Sequence, residues 1–264
     1  MWKRLLLAVV VVFTTVTVRA DTITVAAAIS LKEAVTQAAT DFTAQTGHKV
    51  EFNFGSSGQL ATQIVNGAPV DVFISAGRPQ ITQLEKAQLT QGPSVVITGN
   101  QLVLIAPADS KLPIKQLSEV TDPGVKRLAV GQPETVPAGL YAQQALTKLN
   151  VYDTLKDRLV LGANVRQVLD YVIRGEADAG LVYATDAAAV GPKVKVLAQV
   201  DPTLHATIEY PAVIIKDSKQ AATATAFVAF LQSPAGQKIF TDKGYVAPAV
   251  SATRPATQPA KSGN

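Results

Sequence analysis

"TITVAAAISLKEAVTQAATDFTAQTG", Thr22 to Gly47, joins two kinds of local structure without a break. Ile23 to Ala28 is a mostly apolar run of strand length. From Leu31 the apolar residues Ala34, Val35, Ala38, Ala39 and Phe42 return at the spacing of one helix face, and Gly47 supplies a stop. A strand that hands over to a helix is the first half of a crossover unit, which predicts a mainly parallel sheet.

The same alternation continues outward. "KVEFNF" (49–54) predicts a strand, "SSGQLATQIVNG" (56–67) a helix, "VDVFISA" (70–76) a strand, and "PQITQLEKAQL" a helix opening near Pro79. Farther on, "QLVLIAP" (101–107), "RLAVGQP" (127–133), "RLVLG" (158–162) and "AGLVYAT" (179–185) read as strands. The helical stretches "PAGLYAQQALTKLN" (137–150) and "NVRQVLDYVIRGEA" (164–177) separate the last three. "KVKVLAQV" (193–200) and "EYPAVII" (209–215) are further strands, and two helices between Ala221 and Gly244 are divided near Pro234.

The ends carry other signals. "MWKR", then "LLLAVVVVF", then "VRA" before Asp21 has the charge, apolar core and small-residue ending of a secretory leader, so residues 1–20 are expected to be a signal peptide and the mature protein periplasmic. Without Lys3, Arg4 and Arg19 the formal charge falls from +4 to +1, and no stripe of Lys or Arg argues for nucleic acid. The sequence holds no cysteine, which excludes disulfides, thiolate metal sites and a lipid-bearing cysteine within it. "SATRPATQPAKSGN" (251–264) has no large apolar side chain to bury and reads as a disordered tail.

Enzyme chemistry finds little support. His48 and His205 sit in polar loop contexts, and "GSSG" (55–58) lacks the spacing of a nucleophile elbow. No phosphate-binding glycine loop, zinc motif or paired-carboxylate cluster appears. What recurs is a small or hydroxyl residue where a strand passes into a helix: Ser30, Ser56 and Ser57, Ala138, and Asn164 with Val165. In an open α/β sheet such junctions lie at the carboxyl ends of strands, where ligands bind, and each helix start offers unpaired N–H groups to an anion. Taken singly, Ser30 is expected to be a helix cap, Pro137 a helix opener, Tyr183 a half-buried strand residue, and Arg166 a residue that solvates a helix surface.

In order and spacing, "AAISL", "FGSSGQL", "GAPVDVFISA", "GQPETVPAGLYAQQAL", "NVRQVLDYVIRGEADAGLVYATDA", "IEYP" and "GYVAP" resemble the periplasmic molybdate-binding proteins of bacterial ABC importers, from about Thr22 to Ala247. The resemblance implies a two-lobed α/β fold of the type II periplasmic-binding class, each lobe a mainly parallel sheet flanked by helices, with the ligand in the cleft between them. It implies lobes of residues 21–101 with 209–250 and of 102–208, hinged near Gln101 to Val103 and Ile208 to Tyr210. Ser30 and Ser57 would bind the oxyanion from one lobe, and Ala138, Val165 and Tyr183 from the other. Molybdenum would be bound only as the oxyanion through these residues, with no catalytic residue and no cofactor. The implied partners are a membrane permease and its ATPase, for a monomeric binding protein of molybdate and tungstate. Gly58 departs from a position where the family often has serine.

Chemistry agrees with a donor-only pocket. Molybdate, tungstate and sulfate are dianions near neutral pH and present only acceptors, whereas phosphate retains a proton that favours a carboxylate partner. None of the five positions is acidic. The alternatives left open are another solute on the same fold, such as sulfate, another oxyanion or an amino acid, and a hydrolase using Ser57.

Overall fold

The computed structural model describes residues 20–248, so the expected signal peptide (1–20), apart from its last residue, and the expected tail (251–264) lie outside the described residues. The first part of the chain contains β1 (Thr22–Ala28), α1 (Lys32–Thr46), β2 (Lys49–Gly55), α2 (Ser57–Val65), β3 (Val72–Ile74), α3 (Arg78–Lys86) and β4 (Thr90–Gly99). The middle contains β5 (Leu102–Pro107), β6 (Leu128–Gly131), α4 (Pro137–Lys148), α5 (Tyr152–Leu155), β7 (Leu159–Gly162), α6 (Val165–Ile173), β8 (Ala179–Tyr183), α7 (Ala184–Val190) and β9 (Val194–Gln199). The chain then returns through β10 (Glu209–Ile215) to α8 (Ala221–Gln232) and α9 (Pro234–Asp242).

Two five-stranded sheets result, in the orders β2-β1-β3-β10-β4 and β7-β6-β8-β5-β9. In the first, β1 is parallel to β2 and β3, while β10 is antiparallel to both β3 and β4. The second repeats this, with β6 parallel to β7 and β8, and β5 antiparallel to β8 and β9. Four strands of each sheet therefore share one direction and one is reversed. The reversed strands, β5 and β10, are those the chain enters on passing from one sheet to the other. Asn100 and Gln101 make the first passage and residues 200–208 the second.

The helical faces read from the sequence are the buried ones. On α1, Ala34, Val35, Ala38, Ala39 and Phe42 are buried, and the Phe42 ring meets Phe227 of α8 edge-on at 5.3 Å. On α6, Val165, Val168, Leu169 and Val172 are buried. Each such Val, Leu or Phe contributes roughly 1.5–3 kcal/mol of burial, which makes these faces the main support of the helices.

Strand β4 and the short helices α5 and α7 escape the sequence pattern. Strand β4 contains Gly92 and Pro93, which argue against a strand; it is tolerated because β4 is a sheet edge, where a missing N–H donor leaves no ladder gap. Helix α7, "ATDAAAV", has too few large apolar residues to show a face.

Gly139 shows how tightly helix and sheet are joined near the strand ends. A Cβ built there would lie 2.0 Å from the Gly131 carbonyl oxygen at the end of β6. Gly139→Ala is expected to push the start of α4 off the sheet and cost about 1–3 kcal/mol or more, as overpacking does. The check is the urea midpoint of unfolding, which falls at unchanged slope; an unchanged midpoint contradicts the packing described.

Candidate functional site

The parallel strands of both sheets end on one small cavity between the lobes, a water-sized space of about 10 Å³. Beyond β1, β2 and β3 it is reached by Ser30, Ser57 and Ala76; at the ends of β6, β7 and β8 it is reached by Ala138, Val165 and Tyr183. Residues distant in sequence thus meet because six parallel strands deliver six junctions to one place. All five positions named from the sequence line the cavity. Ala76 was missed, since a lone alanine after "VFIS" carries no chemical signal. Among the described residues, no charged side chain lines the cavity.

Helices α2, α4 and α6 all begin at this wall, and Ser57, Ala138 and Val165 lie in their first turns, where N–H groups lack intrahelical partners. Their caps come from the neighbours of the site residues. Ser56 accepts from Gln59 N at 3.4 Å and Asn164 from Gln167 N at 3.0 Å. Pro137 opens α4, where its missing donor leaves no gap.

Ser30 is not a helix cap. It lies in a 3-10 turn, Ile29–Leu31, and neither that turn nor α1 has a side-chain cap bond. Its hydroxyl is instead 3.1 Å from the Tyr210 hydroxyl, which also accepts from Asn100 Nδ2 at 3.1 Å. Either hydroxyl can donate in this pair, and when Tyr210 does so the Ser30 proton is left for the cavity. Tyr245 grips the same residue from behind by donating to the Ser30 carbonyl. Ser57 is oriented similarly: its oxygen accepts from Ala76 N at 2.9 Å, which frees its own proton as a donor.

Tyr183, Tyr210 and Tyr245 form an aromatic wall with neighbouring ring centroids 5.9 Å apart. Burial raises the phenols of Tyr183 and Tyr210 well above their ordinary range, and neighbouring acidic groups add to it, so both remain protonated donors. Tyr183 and Tyr141 reach from the second lobe to the Ala76 carbonyl of the first, at 3.5 and 3.4 Å.

Two further contacts close the seam around the cavity. Gly58 N donates to Thr135 O across the lobes at 2.9 Å, and a Cβ at position 58 would lie 2.6 Å from both the Thr135 Cα and its carbonyl oxygen. The absent serine is therefore a steric requirement of this seam. Arg166 does not merely solvate its helix, because its guanidinium contacts Glu33 at 2.6 Å and the fully buried Asp186 at 2.8 Å. Burial pushes the Asp186 carboxyl up to about 7, against the pull of Arg166.

The histidines belong elsewhere. His48 Nδ1 accepts from Asp21 N at 3.1 Å, and His205 Nδ1 is paired with Ala206 O at 2.8 Å. Neither lines the cavity, and among the described residues no histidine, lysine or carboxylate is hydrogen-bonded to Ser57.

Comparison with known proteins agrees with this architecture. Residues 23–246 match the model of the family described as bacterial extracellular solute-binding protein. The molybdate-binding protein ModA of Haemophilus influenzae is 40% identical over 230 residues, covering 85% of this chain and 90% of the relative. YvgL of Bacillus subtilis, whose name assigns it to ABC transporters as a substrate-binding lipoprotein, is 37% identical over 228 residues, with 86% of each chain covered. The solved periplasmic molybdate-binding protein of Azotobacter vinelandii superimposes with a TM-score of 0.77 at 29% identity, over 86% of this chain and 100% of that one. These relatives are binding proteins, and this chain, a binding protein and not an enzyme, belongs to the bacterial extracellular solute-binding protein family.

Proposed function

We propose that the protein is the solute-binding subunit of an ABC importer and captures molybdate, and tungstate with it, in the cavity between the lobes. The observation that carries this proposal is the convergence of Ser30, Ser57, Ala138, Val165 and Tyr183 on a cavity lined by no charged side chain among the described residues. Neutral donors match an ion that offers only acceptors, and they leave no carboxylate to receive the proton of phosphate. The likeness to molybdate-binding relatives supports the choice among oxyanions.

The Ser30 and Ser57 hydroxyls and the amides of Ala138 and Val165 donate to the ligand oxygens. Tyr183 turns its phenol from the distant Ala76 carbonyl to the anion, while Tyr141 keeps that carbonyl paired. Hydrogen bonds to a charged acceptor contribute roughly 1.5–3 kcal/mol each, and a fixed set of them replaces the water the anion gives up. The lobes, 21–101 with 209–250 and 102–208, close about the two passages between the sheets, and the closed shape is what the membrane permease and its ATPase receive. The protein acts in the periplasm as a monomer and needs no cofactor.

Competition calorimetry with molybdate, tungstate, sulfate and phosphate tests the assignment. Molybdate and tungstate are expected to bind, and a hundredfold excess over Kd adds about 2.7 kcal/mol of stability by linkage. Binding of none of the four ions sinks the proposal, and a preference for sulfate reassigns the ligand. Ser57→Ala removes a donor and is expected to weaken molybdate binding by about 1–3 kcal/mol; wild-type affinity would remove Ser57 from the site. Gly58→Ala places its clash on the closed seam alone, where overpacking costs about 1–3 kcal/mol. Its molybdate affinity is expected to fall while the melting temperature without ligand holds, and equal affinity would show that the Thr135 contact does not govern closure.

A further inference from the structure

Arg166 follows Val165 directly at the start of α6, and its guanidinium joins three elements. Nε lies 2.8 Å from Asp186 Oδ1 on α7, within the second lobe, where the Asp186 side chain is fully buried. Nη2 lies 2.6 Å from Glu33 Oε2 on α1, in the first lobe and three residues after Ser30. Burial opposes the guanidinium charge, but Asp186 and Glu33 outweigh it and raise the Arg166 pKa, so the group is charged throughout the working pH range.

The two carboxylates have different standing. Asp186 stays beside Arg166 wherever the lobes are, because both belong to the same lobe. Glu33, with 44% of its side chain exposed, is the partner that closure brings and opening removes. Asp186 already holds the guanidinium in place and partly out of water, so pairing with Glu33 adds attraction at a small further cost in ordering and dehydration.

Resting on the anion-binding function proposed above, we infer that Glu33 and Arg166 form an electrostatic latch across the seam that slows release of the bound anion. They are positioning residues, since neither lines the cavity. The inference has a distinctive sign. Glu33 carries negative charge close to the site of a dianion, so if it acted only through its field, removing that charge would tighten binding. As a latch, its removal weakens binding.

Glu33→Gln is the informative variant, because loss of Arg166 would leave the buried Asp186 carboxylate unpaired and endanger folding. At pH 8, above the Asp186 value of about 7, radiolabelled molybdate is released from wild type and Glu33→Gln at low and high salt, alongside calorimetric affinities. The expected result is an affinity about two- to fivefold weaker, the scale of a partly exposed ion pair, carried by faster release. Raising the salt is expected to speed release from wild type more than from the variant, since salt screens the pair. The melting temperature without ligand is expected to match wild type. Unchanged or tighter molybdate binding by Glu33→Gln overturns the latch and leaves the anion assignment standing, whereas a wild type that binds no oxyanion overturns both.

Discussion

The carboxamide of Asn100 holds together the parts on which the site depends. It stands in the first passage between the sheets and donates to Tyr210, which lies just past the second in β10, and at 2.8 Å to Thr185 on α7. Both passages and both lobes are therefore tied by one side chain that is almost wholly buried. Left unpaired at that depth, each of these polar groups would cost about 1–3 kcal/mol, so the network specifies one arrangement of the crossing strands. From Tyr210 the order passes to Ser30 and so to the cavity. The first passage between the sheets and the cavity residue Ser30 are consecutive links of the same hydrogen-bonded chain.

A cavity without countercharge follows from how the sheets are wound. Each reversed strand, β5 or β10, carries the chain across and leaves the other strands of its sheet pointing the same way. Three strand ends from each lobe then converge, with α2, α4 and α6 starting beside them. Helix starts supply N–H groups in fixed directions and a positive dipole end, without a cation that would also favour other anions. The ionised groups are kept one layer out, in the Arg166 cluster, where they join lobes and do not touch the cavity.

Much of this was legible because it is local. A helix face such as Ala34, Val35, Ala38 and Phe42 writes its burial into adjacent residues, and a strand followed by a small residue marks a junction wherever it occurs. The part that was not legible is pairing at long range. Tyr210 lies 180 residues from Ser30, and Arg166 lies 133 from Glu33, so no periodicity could connect them. That is why Ser30, a plausible cap by its neighbours, bonds to Tyr210 instead, and why Arg166, a plausible surface residue, is a bridge between lobes. Strand β4 was hidden for a different reason, since Gly92 and Pro93 are tolerated only because the strand is an edge, a fact of the sheet and not of the segment.

Selection by ion size follows the same division between local and long-range structure. Ala138 and Val165 meet the cavity at helix starts, so their amide positions are set by the backbone and barely depend on their side chains. The distance between donors of the two lobes depends instead on how closely the lobes approach. At the seam that approach is limited by Gly58 against Thr135, backbone against backbone, with no room for even a methyl group. Contact between two backbones is stiff, because no rotamer can relieve it. On the function proposed above, a stiff stop of this kind limits how closely opposed donors approach an oxyanion, and tetrahedral oxyanions differ in bond length by a fraction of an ångström. On that function, the limit on lobe approach is set by a residue that contributes no side chain at all.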